Sequence, residues 1–176
     1  MNKTKVAIIM GSDSDLEIMA GAVEFLEKLQ IPHSLDILST HRSPKETADF
    51  AQNTQSTGIK VIIAGAGGAA ALPGSIAALT TLPVIGVPIK SKSLEGLDSL
   101  FSMVQMPPGV PVATVGINNA QNAAILAAQI LALSDPQISQ KLEEYKNNMV
   151  KGIWEKSRKL KTQGYKKYLT AQKRQK

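Results

Sequence analysis

The chain has 176 residues, 43% hydrophobic, 19% charged and only 4% aromatic, with a formal net charge of +6 and no cysteine. That length suits one domain with a proper core, and that composition an ordinary globular protein whose interior rests on Ala, Ile, Leu and Val. The missing cysteine excludes disulfides, thiolate metal sites and cysteine nucleophiles, and no apolar run approaches the ~20 residues that span a bilayer.

In chain order, strands are predicted near 5–10, 34–39, 59–64, 83–88 and 111–115, alternating with helices near 15–29, 44–57, 70–80, 96–105 and 119–133. Five such repeats are the pattern of a parallel sheet with crossover helices. The fold class expected is α/β: a three-layer αβα, flavodoxin-like doubly wound sheet, strand order 2-1-3-4-5, plus a C-terminal helix. Ser14 or Asp15 suits the cap of the first helix and Pro44 the first turn of the second. Pro32, Pro83 and Pro111 stand where strands two, four and five begin, positions that tolerate a missing N–H. A last helix is expected from Pro136 to about Trp154, with Ile138, Leu142, Tyr145, Met149 and Ile153 as one apolar stripe. It packs either on its own domain or on a neighbouring subunit. Residues 1–155 are thus read as a single domain.

Residues 1–140 carry 8 Lys/Arg against 11 Asp/Glu, and residues 141–176 carry 12 against 3. The excess positive charge therefore lies in the tail, 156–176, expected to be partly disordered. No recognition motif accompanies it, so neither nucleic acid nor a membrane is an expected partner. Met1-Asn2-Lys3-Thr4-Lys5 leads into a strand too short for a signal-peptide core, and the cytoplasm is the expected compartment.

Three turns close the first three strands, on the sheet edge where ligands bind in this architecture. Gly11-Ser12-Asp13-Ser14-Asp15 offers N–H groups and the hydroxyls of Ser12 and Ser14 at a helix start, a site for an anion. Asp15 repels phosphate and suits sugar hydroxyls instead; plain helix capping is the competing explanation. Ser39-Thr40-His41-Arg42-Ser43-Pro44 adds a cation able to hold phosphate bidentately, Arg42, and a proton carrier, His41. His33, the other histidine, falls on the opposite edge and is read as a surface residue. Gly65-Ala66-Gly67-Gly68-Ala69-Ala70 matches a loose dinucleotide pattern, but follows the third strand and lacks the acidic ribose partner, which disfavours a nicotinamide enzyme. The near-continuous Ala/Gly run over 64–78 allows close approach to a ligand or to another subunit.

These loops resemble the class I N5-carboxyaminoimidazole ribonucleotide mutase family, that of the phosphoribosylaminoimidazole carboxylase catalytic subunit. The resemblance runs through Met10-Gly11-Ser12-Asp13-Ser14-Asp15, the Ser39–Pro44 loop, Ile63 to Ala70, Leu72-Pro73-Gly74, Leu82 to Pro88, Asp98-Ser99-Leu100, Val104-Gln105-Met106-Pro107 and Asn122 to Leu131. It covers about residues 5–150. It implies a mutase of purine biosynthesis that moves a carboxylate from an exocyclic nitrogen to the adjacent ring carbon through trapped carbon dioxide, with His41 as acid-base. It further implies Ser12, Ser39 and Arg42 on the phosphate, Asp15 on the ribose, the backbone of Gly65, Ala66, Gly67 and Gly68 near the carboxylate, and Ala71 and Leu72 beside the substrate. Metal, ATP and biotin are not called for, and a homo-octamer is implied. One departure stands out: Ala71 occupies a position where the family usually has histidine. The alternative is therefore a ribonucleotide-binding homologue with impaired or altered activity. Relatives of the second class, which use free carbon dioxide, fit the His41–Pro44 and Gly68–Ala70 patterns less well.

Overall fold

The computed structural model describes residues 4–173. Five strands, β1 (Val6–Met10), β2 (His33–Ile37), β3 (Val61–Gly67), β4 (Val84–Ile89) and β5 (Ala113–Thr114), form one parallel sheet in the order β2-β1-β3-β4-β5. Every pairing is parallel; β1 matches Ile8 to Leu35 on one side and to Ile63 on the other. The central strands are buried along nearly their whole length, as expected where helices cover both faces.

Successive side chains alternate between those faces. Ala7, Ile9, Ile62, Ala64 and Ala66 share a core cluster with Ala51, Leu72, Ile76 and Met103, from helices α2 (Pro44–Asn53), α3 (Ala71–Ala77) and α4 (Leu97–Val104). Helices α1 (Leu16–Lys28) and α5 (Ala120–Ala132) pack against each other. The α5 seam is built on Ala120, Ala123, Ala124, Ala127 and Ala128, all buried, and a Cβ at Gly21 of α1 would lie 3.8 Å from the Gln121 backbone nitrogen. Small residues set that close approach, the packing use of alanine the composition implied.

Several boundaries differ from the sequence expectation for physical reasons. Asp15 takes the N-cap position of α1, as expected, though its side chain makes no capping hydrogen bond; Ser12 caps the short 3-10 turn before it, Asp13–Asp15, its hydroxyl accepting from the Ser14 N–H at 3.3 Å. Pro44 does open α2. β3 continues through Gly65-Ala66-Gly67 because β4 pairs it residue for residue, Gly65 with Val87 and Gly67 with Ile89; the glycine loop is largely strand. β5 is only two residues long, since Pro111 offers no N–H to the ladder, although Val115 still donates to Gly86 O at 3.1 Å.

The chain parts between Ile138 and Ser139 into two compact units. The last predicted helix does not stop near Trp154. Helix α6 runs Pro136–Gln163, Gly164 takes a left-handed φ of 74°, and α7 (Tyr165–Lys173) follows. Lys-rich sequence is a good helix former when solvated, so the basic tail is helical over its described part. The stripe of that helix is partly exposed: Met149 is 55% and Ile153 62% accessible, and Trp154 beside them 74%. Among the described residues no helix is long and apolar enough to cross a membrane.

Candidate active site

The sheet order brings the ends of β2, β1, β3 and β4 side by side, and a cleft of about 480 Å³ opens along that edge. Each strand contributes one segment to its wall. β1 supplies Gly11, Ser12, Ser14 and Asp15; β2 supplies Ser39, Thr40, His41 and Arg42; β3 supplies Ala66, Gly67 and Gly68, with Ala70, Ala71 and Leu72 following. β4 supplies Ile89, Lys90 and Ser91.

The β2 loop is bound tightly to itself and to its neighbour. Ser43 N–H donates to Ser39 O at 2.7 Å, and the Ser43 hydroxyl both donates to Ser39 O and accepts from Ser39 N–H at 3.1 Å. Leu38 N–H donates to Met10 O at 2.9 Å, tying the loop base to β1. The Arg42 guanidinium donates through Nη2 to Gly11 O at 2.7 Å and through Nε to Ser39 Oγ at 3.3 Å. A fork anchored at two points loses little freedom when an anion takes its remaining N–H groups. Because Ser39 Oγ accepts from both Arg42 Nε and Arg42 N–H, its own proton is left for another acceptor.

Ser12, Ser14 and Asp15 form a chain of polar contacts beneath this fork. The Ser14 hydroxyl donates to Ser12 Oγ at 2.9 Å and lies 3.4 Å from Asp15 Oδ1. Asp15 is only 9% exposed. Burial pushes its carboxyl above the ordinary value, opposed by hydrogen bonds from Ser14 and Ser12 and by the positive field of Arg42. A half-desolvated carboxylate of this kind gains by accepting hydrogen bonds from a ligand's hydroxyls.

The β3 turn is held in conformations side chains seldom adopt. Gly68 has φ 62°, and Ala70 has φ 44°, ψ 39° with a Cβ to accommodate. A non-glycine residue there costs on the order of 1–3 kcal/mol, and such strain gathers where backbone is aimed at a ligand. Two buried side-chain atoms among the described residues lack a hydrogen-bond partner, Thr40 Oγ1 and Asp98 Oδ1. Thr40 lines the cleft, and Asp98 holds a lining residue, since Ser91 donates to its Oδ2 at 2.8 Å.

Of the residues expected to form the site, Ser12, Ser14, Asp15, Ser39, His41, Arg42, Ala66, Gly67, Gly68, Ala71 and Leu72 all border the one cleft. Gly65 does not. It lies within β3 facing α1, where a Cβ would fall 2.4 Å from Met19 Sδ, and its carbonyl accepts from Gly11 N–H at 3.2 Å. Its place is to let α1 close on the sheet and to fix the start of the β1 turn. His33 starts β2 on the far edge, its Nδ1 2.9 Å from Ile31 O. Sequence reasoning missed Ile89, Lys90 and Ser91. The signal was present: β4 adjoins β3, one strand beyond the β1/β3 switch point, and its apolar run ends in Lys-Ser. Among the described residues no group of three or more His, Cys, Asp or Glu is placed to hold a metal ion.

A doubly wound αβα domain with serines, a guanidinium, an imidazole and a buried carboxylate at the edge where such sheets bind ligands belongs to the flavodoxin-like class. The particular family follows from comparison with known proteins. The AIR carboxylase family profile matches residues 5–152, and the chain belongs to that family. It is 57% identical over 165 residues to N5-carboxyaminoimidazole ribonucleotide mutase of Thermotoga maritima, covering 94% of this chain and 96% of that one. Its identity to the Pyrococcus horikoshii protein of the same name is 54% over 168 residues, 96% of this chain and 95% of the other. The crystal structure of Treponema denticola PurE superposes with a TM-score of 0.82 at 30% identity, over 89% of this chain and 98% of that one.

Proposed function

We propose that this protein is an N5-carboxyaminoimidazole ribonucleotide mutase acting in purine biosynthesis, and that the cleft at the strand ends is its active site. The carrying observation is that Arg42, Ser39, Ser12, Asp15 and His41, from two different strand ends, border a single cleft with the glycine turn of β3. The substrate's phosphate is held by the anchored Arg42 fork and the hydroxyls of Ser12 and Ser39, with Ser14 supporting Ser12. The ribose hydroxyls donate to Asp15. This places the base toward β3, where the backbone of Ala66, Gly67 and Gly68 approaches the carboxylate and Ala71 and Leu72 wall the ring.

The reaction is a rearrangement and balances without a co-reactant. The bond between the exocyclic nitrogen and the carboxyl carbon breaks, releasing carbon dioxide within the cleft. The adjacent ring carbon then attacks that carbon, forming a carbon–carbon bond. The ring carbon loses one proton and the nitrogen gains one. His41 is the acid-base group that gives the nitrogen its proton as carbon dioxide leaves and recovers one from the ring carbon after the new bond forms. Holding a small neutral gas between the two steps requires a closed, dry pocket around the base. The assembly proposed is a homo-octamer in the cytoplasm, and residues 1–155 are proposed to work as the catalytic part of each subunit.

The test is isomer interconversion with carboxyl-labelled substrate, followed by NMR without ATP or added bicarbonate. The reading expects rapid interconversion by the purified protein and its loss in His41→Asn, with nucleotide affinity kept within about threefold. Full turnover in His41→Asn would remove the histidine from proton transfer; no turnover in the unaltered chain despite nucleotide binding would favour the impaired homologue suggested by Ala71.

A further inference from the structure

The β4 end of the cleft has no task in the reaction as described. Lys90 and Ser91 follow β4 directly and line the cleft, two strands beyond the β1 turn. Arg42 follows β2. Three interstrand steps of about 4.8 Å separate β2 from β4, so the two strand ends lie roughly 14 Å apart. Arg42 and Lys90 are the Lys/Arg residues among the described lining, and they stand at opposite ends of it. A ribonucleotide with a carboxylated base carries charge in the same pattern, phosphate at one end and carboxylate at the other.

The Lys90 backbone is fixed while its ammonium is not. Its N–H donates to Asn118 Oδ1 at 2.8 Å, and Asn118, itself at a left-handed φ of 57°, donates its N–H to Pro88 O at 2.8 Å. Ser91 is braced on the other side by Asp98. The ammonium pairs with Glu95, but the two side chains are 52% and 69% exposed. An ion pair so open to water contributes little, and its cation is readily given up to a better-placed anion. Between Arg42 and Lys90 the lining carries the Asp15 carboxyl on the β1 turn, close to Arg42, and the β3 segment beside Lys90 is neutral, with Ala71 contributing a methyl group.

We propose that Lys90 binds the migrating carboxylate, exchanging Glu95 for the substrate, and thereby lets the cleft prefer carboxylated over carboxylate-free aminoimidazole ribonucleotide. This rests on the ribonucleotide reading of the same cleft. Both carboxylated isomers need the counter-charge, because nitrogen and ring carbon are adjacent. The neutral gas between them does not. Lys90 is therefore an affinity and specificity residue, and its removal raises KM more than it lowers kcat.

The experiment measures binding of two probes by calorimetry, 4-carboxy-5-aminoimidazole ribonucleotide and 5-aminoimidazole ribonucleotide, to the full chain and to Lys90→Met and Glu95→Gln, alongside turnover. Lys90→Met is expected to weaken the carboxylated nucleotide about tenfold and raise KM similarly, with kcat within threefold. The carboxylate-free nucleotide should bind within twofold of the unaltered chain, which also controls for folding. Glu95→Gln, which frees the ammonium, should tighten the carboxylated nucleotide by up to threefold. Raising salt should shrink the preference in the unaltered chain and not in Lys90→Met. Equal weakening of both nucleotides by Lys90→Met, or weakening of neither, overturns the assignment of Lys90 and leaves the ribonucleotide site standing. Failure of the unaltered chain to bind either nucleotide overturns the ribonucleotide reading itself, and the Lys90 assignment with it.

Discussion

Replacing Gly65 with alanine separates packing from ligand contact at the centre of the sheet. The added Cβ would sit 2.4 Å from Met19 Sδ and 3.1 Å from Met19 Cγ and Cε, and Met19 is fully buried. Overpacking of this kind costs about 1–3 kcal/mol. The upper end is avoided because the opposing atoms belong to a flexible thioether. Gly65 does not occupy left-handed backbone, so alanine also recovers roughly 0.4–1 kcal/mol by restricting the unfolded chain. The clash wins, and the net loss is about 0.5–1.5 kcal/mol, a fall in Tm of roughly 1–6 °C for a chain of this size. Met19→Ala by itself should cost about 2–5 kcal/mol through the cavity it leaves. In the double variant the new methyl group enters that cavity, so the combined loss should fall short of the sum by about 1 kcal/mol or more. Thermal and urea unfolding at fixed protein concentration measure all four corners of the cycle. Strict additivity, or a Gly65→Ala protein as stable as the parent, would refute the packing argument. Folded Gly65→Ala should bind nucleotide within about threefold of the parent; a hundredfold loss at unchanged Tm would put Gly65 against the ligand after all.

Arg42→Ala removes a charge-assisted phosphate contact worth about 1.5–3 kcal/mol, so nucleotide affinity should drop roughly 10- to 100-fold in calorimetry, and unchanged affinity would take Arg42 off the phosphate. Asp15 has a raised folded pKa, so the stability it contributes is fully present below its ordinary 3.8 and is lost as pH rises from there through the folded value. Asp15→Asn should accordingly unfold at a higher temperature than the parent at pH 7, the gap closing as pH falls through the raised folded value towards 3.8, while ribonucleotide affinity falls about tenfold or more; a gap independent of pH would contradict the burial argument. Ala71→His places an imidazole in the cleft wall. With Lys90 already supplying positive charge there, kcat/KM should change by no more than about threefold, whereas a hundredfold gain would mean that the natural alanine leaves the site impaired.

Much of this architecture was legible along the chain. Five apolar runs of strand length alternating with helical periodicity dictate a parallel sheet, because neither element can bury its apolar face except against the other. Turn chemistry did the rest locally: Ser12 to Asp15 and Ser39 to Arg42 each follow a strand, Gly67-Gly68 closes one, and the strand order gathers them on one edge. What periodicity could not decide was where pairing stops. Gly65-Ala66-Gly67 has the composition of a loop, yet β1 and β4 flank it, and two neighbours to bond with outweigh a poor strand propensity. The alternation that follows turns Gly65 toward Met19 and away from the cleft, a result of the register with β1 and β4 rather than of its own residue type. Lys90 and Ser91 look like an ordinary polar stop after β4, and only the adjacency of β4 to β3 brings them to the ligand edge. The charge-dense tail left open whether it is ordered, because solvated lysines favour helix and disorder alike, although Gly164 was a residue-level cue for where α6 ends. Residue chemistry thus determined what the site can bind, while the lateral order of the strands decided which residues share it.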